Sequence, residues 1–448
     1  MPIVVSTDSQ QLVSKYNLTV PRYTSYPTHP TWRNNVSAGK ALDIIKQENP
    51  EEISIYIHLP FCEDLCTYCG CNTRITKNHA VEEVYINFLL KEAAMYSSHI
   101  TGQVKELHFG GGTPTFFSPD NLTVLMTGLG KLFKLATKGY SLECHPAHTT
   151  KEHLSVLKSF GFSRVSIGVQ DTSPTVLEAI NRNQTVNQVR DLAAYAGELG
   201  YAINFDLVYG LPFQTLKNMD DSIDLVNEIK PSRIAWYSYA HIPWKKPGQR
   251  GYSESDLPNA VQKLDMWKHL SKGLKQAGYT AIGFDHFALP TDSLYAAFSS
   301  GKLYRNFMGY TEFHTDALLG LGASSISEFK GAFWQNEKKN ENYYTVLKEG
   351  KLPIVNGHII TPREQVTKAK ILDLLCYRST DVHCCFEADL SIDKQELLNE
   401  LINDEMVRLT QDKLIVTEQG RAFMRLAACL LDPEFSLNNS ELRFSSSI

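Results

Sequence analysis

The chain has 448 residues, 43% of them apolar and 21% charged, with a formal net charge of −5. That balance belongs to a soluble globular protein long enough for more than one domain. It argues against non-specific nucleic-acid binding, and no run of eighteen apolar residues predicts a membrane span.

The N-terminal stretch "MPIVVSTDSQQLVSKYN" lacks a basic region followed by an apolar one, so no signal peptide is expected and the location reads as cytoplasmic. Residues 1–45 are polar, with prolines at 21, 27 and 30 and no sustained period, and the arm is taken as 1–48. They read as an extended arm, a candidate substrate lid, ending in a short helix over Ala41–Gln47.

From residue 53 the pattern alternates. Short β-branched runs occur at Ile53–Ile57, Val104–Phe109, Ser141–Cys144, Arg164–Val169, Ile203–Tyr209 and Arg233–Tyr239. Helical patterns separate them at Val81–Tyr96, Leu122–Phe133, Lys151–Ser159, Val186–Leu199 and Leu216–Ile229. Repeated strand–helix units predict an α/β fold with a parallel sheet. Six units fall short of a closed eight-stranded barrel. A partial, open (β/α)6 barrel is therefore expected, with a doubly wound sheet as the alternative.

Residues 255–284 read as a long helix and a strand, within a body spanning 49–350. Beyond about 355 the texture changes. "PREQVTKAKILDLLCYR" is helical, and "DEMVRLTQDKLIVTEQGRAFMRLAACLLD" reads as helix, hairpin and helix. Residues 351–448 thus form a small, mostly helical, winged-helix-like domain, with the polar tail "SLNNSELRFSSSI" expected to be loosely ordered.

Nine cysteines are present, four of them within residues 62–71. Cys62, Cys66 and Cys69 form C-x3-C-x2-C. Soft thiolates select zinc, copper(I) or iron–sulfur clusters. A cubane cluster normally takes four cysteines, so three leave one iron open to a small molecule. A structural zinc knuckle is the alternative, although no second C-x2-C pair accompanies it. The remaining cysteines read as reduced cytosolic thiols, and the adjacent pair Cys384–Cys385 would make a poor disulfide.

In parallel α/β folds the chemistry sits at the C-terminal ends of the strands. The cysteine loop follows the first strand and "GGGTPT" (110–115) follows the second. Glu143, Gln170 and Asp206 fall at or near the ends of the next three, with Arg182 between the last two. A glycine-rich stretch alone reads most simply as a tight turn. Together these features describe a polar cofactor site on one edge.

The cysteine spacing, Tyr68 before the third cysteine and the strand "ISIYIHLP" resemble the radical S-adenosylmethionine superfamily. In that superfamily the open iron chelates S-adenosylmethionine, and one electron releases a 5′-deoxyadenosyl radical that abstracts hydrogen. Within it, the chain resembles the oxygen-independent coproporphyrinogen III oxidase family, nearly end to end. The matching stretches include "KYNLTVPRYTSYPT", "YIHLPFCEDLCTYCGCN", "LHFGGGTPT", "RVSIGVQD", "NRNQ", "NFDLVYGLP", "YSYAHIP", "GFDHFALP", "YRNFMGYT" and "LLGLGASSIS".

That resemblance implies oxidative decarboxylation of two propionates of coproporphyrinogen III to vinyl groups, giving protoporphyrinogen IX. It implies a [4Fe–4S] cluster on Cys62, Cys66 and Cys69, and two molecules of S-adenosylmethionine. Tyr56, Gly111, Glu143 and Ile326 would contact the first. Tyr68, Gly112, Thr113, Gln170, Arg182, Asp206 and Ala240 would line the second site. Cys71 would act without ligating. Arg22, Arg74 and Arg305 are candidates for the propionates, since carboxylates favour guanidinium forks. A one-electron donor such as a flavodoxin or ferredoxin and a monomeric state complete the expectation. A haem chaperone of the same superfamily is the alternative; its members usually lack the Cys71 position and the "PRYTSYP" arm. Two stretches depart from the family pattern: "ECHPAH", with His145 where an acidic residue is common, and "YTEFHTDALLG".

Overall fold

A computed structural model describes residues 7–383, 386–437 and 445–447; Cys384 and Cys385 lie outside them. Six parallel strands form the centre: β1 (Glu52–Leu59), β2 (Gln103–Gly111), β3 (Tyr140–Cys144), β4 (Phe162–Gln170), β5 (Ala202–Tyr209) and β6 (Arg233–Ser238). They lie side by side in chain order. An order without reversal is that of a barrel wall, which sets aside the doubly wound alternative.

Alternation along the strands explains the two faces. Ile53, Ile55 and Ile57, then Leu107 and Phe109, then Val165, Ile167 and Val169 are all buried in the main apolar core. The helices between strands cover that side. The opposite residues are polar: Ser54 and Tyr56, Glu106 and His108, Ser141 and Glu143, Ser166, Asn204 and Asp206. Barrel interiors are usually filled with branched apolar residues, so this polar column marks the concave face for chemistry. The intervening helices start where the sequence supplies caps. At Thr185 and Thr215, reciprocal bonds with Gln188 and Asn218 close capping boxes, each worth about 1 kcal/mol.

The sheet runs further than the six strands expected. A seventh parallel strand, β7 (Ala317–Leu321), pairs with β1 from Ala317 opposite Ile53 to Leu321 opposite Ile57. Antiparallel strands Ile326–Glu328, Ala332–Asn336 and Ile354–Ile359 extend that edge, and His286–Ala288 pairs antiparallel with β6 at the other. The barrel therefore stays open. Short, Gly-punctuated segments such as "LLGLGASSIS" carry little periodic signal, which is why they did not read as strands.

The arm also differs from expectation. Thr7–Tyr16 is a helix with Leu12 and Tyr16 buried. It is held on the long helix Ala260–Gln276 by Ser9 Oγ donating to Asp265 Oδ1 (2.6 Å) and Lys268 Nζ to Asp8 Oδ2 (2.7 Å). Its two-residue apolar stripe is too narrow to show as a sequence period; tertiary packing makes the helix. Farther on, Tyr23 and Tyr26 donate to Asp432 (3.0 and 3.2 Å), tying the arm to the C-terminal region. The tail is not wholly loose. Ser445 and Ser446 pair with Val20 and Thr19, and Ser447 is buried.

In the C-terminal region, helices Pro362–Tyr377, Ile392–Asn403 and Met424–Leu431 surround a three-stranded sheet of Ser379–Asp381, Lys413–Val416 and Val407–Leu409. Helix, hairpin and helix follow one another in the winged-helix-like order.

Candidate active site at the cysteine loop

The C-terminal ends of the strands open into a cavity of about 660 Å3. Its wall includes Cys62, Cys66, Cys69, Cys71, Tyr68, Gly111, Gly112, Thr113, Glu143, Gln170, Arg182, Asp206 and Ala240, residues drawn from positions 62 to 240 of the sequence. The arm supplies part of the wall through Val20, Pro21, Arg22, Tyr23 and His29.

The cysteine loop is held from several sides. Thr67 N donates to the Ile180 carbonyl (2.9 Å), and Asn181 Nδ2 to the Leu65 carbonyl (2.7 Å). Gln249 Nε2 bridges the carbonyls of Tyr68 and Ala240, both at 3.2 Å. Lys246 Nζ donates to the Cys71 carbonyl at 3.0 Å.

Each of the three thiols has a donor aimed at its sulfur: Thr113 Oγ1 to Cys62 (3.4 Å), Arg182 Nη1 to Cys66 (3.5 Å) and Cys71 N to Cys69 (3.4 Å). Burial pushes the Cys62 thiol up to about 12 and raises that of Cys66, while Arg182 opposes the rise at Cys66. Cys69 is drawn down to about 7, chiefly by the Cys71 side chain hydrogen-bonding to it, and Cys71 is raised by the same bond. Hydrogen bonds to sulfur are what tune iron–sulfur centres. Among the described residues no three His, Cys, Asp or Glu side chains converge on a single-ion site. The donor set fits a cluster.

Arg182 is the structural hub. Its guanidinium is buried and reaches Cys66 Sγ, Gln184 Oε1 (2.8 Å) and the Gly168 carbonyl. A Cβ at 168 would stand 2.7 Å from Arg182 Nη2, so any side chain there would displace the guanidinium. Gln170 sits at φ 64° beside a register shift in β4. Non-glycine residues held in that region concentrate at functional sites.

Glu143 accepts from Gly111 N (3.1 Å) and lies 3.5 Å from His108 Nε2. Asp206 takes hydrogen bonds from Ser166 and Asn204 Nδ2, yet burial raises its carboxyl to about 6. Burial, then Arg182 and His148, lower the His145 imidazole to about 2, so this departure from the family pattern adds a neutral ring to the wall.

Four of the named residues fall outside the cavity wall. Tyr56 lies beneath it, stacked on His108 at 5.9 Å with its hydroxyl 3.1 Å from His58 Nδ1. Ile326 packs against the Trp32, Phe333 and Ile360 group. Arg74 is exposed and pairs with Glu341 at 3.2 Å. Arg305 is buried, donates to the Tyr23 carbonyl and lies over the Phe284 and Tyr310 rings. The wall also contains Glu63, His148, Ser166, Tyr237 and Lys245, which the motif reading passed over. Continuing the period-2 alternation inward along β4 and β6 finds Ser166 and Tyr237; no local signal marks the others.

The radical SAM superfamily profile matches residues 56–226. The chain is 36% identical to the oxygen-independent coproporphyrinogen III oxidase of Pseudomonas aeruginosa over 97% of each chain. It is 32% identical to the protein of the same name from Synechocystis sp., over 98% of each. A solved structure of coproporphyrinogen III oxidase from Escherichia coli, described as a radical SAM enzyme, superimposes with a TM-score of 0.87 at 32% identity, covering 92% of this chain and 98% of that one.

Proposed function

The chain belongs to the oxygen-independent coproporphyrinogen III oxidase family, and from that premise we propose that it decarboxylates two propionates of coproporphyrinogen III to vinyl groups, giving protoporphyrinogen IX. The reaction uses a [4Fe–4S] cluster and S-adenosylmethionine. When bound, the pair supplies a carbon-centred radical strong enough to take hydrogen from an unactivated propionate carbon, a step no side-chain base can perform.

Cys62, Cys66 and Cys69 hold the cluster in this reading. Tyr56, Gly111, Glu143 and Ile326 serve the first S-adenosylmethionine, and Tyr68, Gly112, Thr113, Gln170, Arg182, Asp206 and Ala240 a second. Arg182 orients the Cys66 side of the loop and presents fixed positive charge. Cys71 donates towards Cys69 and stays off the cluster. The arm closes one wall, keeps water from the reacting carbon, and offers Arg22 to a propionate. A one-electron carrier supplies the reducing electron to a monomeric enzyme.

The observation that carries this reading is the convergence of three hydrogen-bonded thiols and the polar strand-end groups on one cavity. Anaerobic reconstitution with iron and sulfide, followed by dithionite, S-adenosylmethionine and coproporphyrinogen III, tests it. Protoporphyrinogen IX and CO2 are expected; unchanged substrate in a reconstituted brown protein overturns it.

A further inference from the structure

We infer that the exposed surface around the cysteine loop is the docking site for an acidic one-electron carrier protein; this deepens the reading above by giving the electron a route in. Electron transfer falls steeply with distance, so a carrier must come close to the residues beside Cys66. Three segments meet there. Lys246 bonds the Cys71 carbonyl at 3.0 Å, and Asn72 Nδ2 bonds the Lys338 carbonyl at 2.9 Å. A Cβ at Gly248 would lie 3.3 Å from Leu65 Cδ2. Segments 63–77, 243–250 and 337–341 therefore form one continuous rim.

The chain is acidic overall, but this rim is not. The three segments carry seven Lys and Arg against four Asp and Glu. Of the four carboxylates, Asp64 and Glu341 pair with Lys77 (3.8 Å) and Arg74 (3.2 Å), Glu63 lies 3.5 Å from the His148 imidazole, and Glu337 accepts from the backbone of Lys338 (2.7 Å) and Lys339 (3.2 Å). Lys245, Arg250, Lys338 and Lys339 are exposed and make no ion pair among the described residues. The same three segments carry three of the exposed large apolar side chains, Leu65, Ile75 and Trp244, at 41%, 39% and 50% exposure, the first two of which also line the cavity. Exposed apolar side chains among charged ones are the anatomy of a transient protein interface. An excess of one sign of charge on the rim selects a partner of the opposite sign and speeds its encounter. The transfer balances simply: the carrier loses one electron, the site gains one, and no bond or proton changes place.

The test uses the reconstituted holoenzyme, with an acidic flavodoxin as probe. Its dissociation constant is measured by titration, and the bleaching of the cluster by its hydroquinone form by stopped flow. In the variant Arg250→Glu/Lys338→Glu/Lys339→Glu, affinity and bleaching rate should both fall by at least about tenfold, while bleaching and turnover driven by dithionite stay at wild-type levels. Trp244→Ala should weaken the probe in the same selective way, and Lys338→Arg/Lys339→Arg should bind it normally. Wild-type affinity should drop between about 50 and 300 mM salt. Unchanged flavodoxin affinity in the charge-reversal variant, a salt-independent wild type, or parallel loss of dithionite turnover in both the charge-reversal and Trp244→Ala variants overturns the inference. Should wild-type protein show no dithionite-driven turnover of coproporphyrinogen III, the proposed function fails, yet binding and bleaching still decide the docking surface.

Discussion

Replacing Arg182 by alanine removes a buried side chain that ties the cysteine loop to the end of β4. The guanidinium is buried and donates to the Gly168 carbonyl, to Gln184 Oε1 at 2.8 Å and towards Cys66 Sγ at 3.5 Å. Each bond from a charged donor to a buried acceptor contributes about 1.5–3 kcal/mol, and alanine leaves the acceptors unpaired. Counting only the two shorter bonds, and allowing for water entering the vacated space, the loss is about 3–5 kcal/mol. With an unfolding entropy of about 2 cal/mol/K per residue, the melting temperature should fall by roughly 4 °C. Three cysteines remain, so the reconstituted variant should keep its brown absorbance while protoporphyrinogen IX formation drops sharply. Arg182→Lys keeps the charge but cannot fork to three acceptors, and should recover little of the activity. The measurements are thermal unfolding by circular dichroism, visible absorbance and anaerobic product analysis. A variant within about 1 kcal/mol of wild type that also turns over normally would refute the role given to this arginine.

Other outcomes follow from the same geometry. Cys62→Ser, Cys66→Ser and Cys69→Ser should each lose the cluster absorbance, whereas Cys71→Ser should keep the colour and lose turnover; loss of colour there means that Cys71 ligates. Gly168→Ala places a methyl 2.7 Å from Arg182 Nη2, so its activity loss should overlap that of Arg182→Ala in a double-mutant cycle rather than add to it. Glu92, buried and bonded by Tyr343 (2.6 Å), Gly322 N (2.8 Å) and Asn336, has a carboxyl that burial raises to about 7. The native state thus keeps a proton that the unfolded chain releases. Stability from this group is full below about pH 4.5 and falls as pH rises to 7, by about 3 kcal/mol. Glu92→Gln should flatten that part of the pH–stability curve; an unchanged slope counts against the assignment.

Much of the centre was legible in the sequence because its physics is local. Runs such as Ser141–Cys144 and helices such as Lys151–Ser159 are set by period and by caps like Thr150, and strand ends announce the site through Glu143, Gln170 and Asp206. What stayed hidden depends on distant partners. Helix Thr7–Tyr16 exists because Ala260–Gln276 receives it, and β7 because β1 pairs with it. Arg74 and Arg305 were indistinguishable from Arg22 as guanidinium donors. Their ion pair with Glu341 and stacking on Phe284 and Tyr310 arise from contacts far along the chain. Glu63 and His148 line the cavity beside a motif that gives them no distinguishing spacing.

The most direct test of the account is product analysis of the anaerobically reconstituted protein, given coproporphyrinogen III, S-adenosylmethionine and dithionite. The account predicts protoporphyrinogen IX with two CO2 released per molecule and a brown protein throughout. Tight haem binding without CO2 release, or a colourless protein holding stoichiometric zinc, would contradict it.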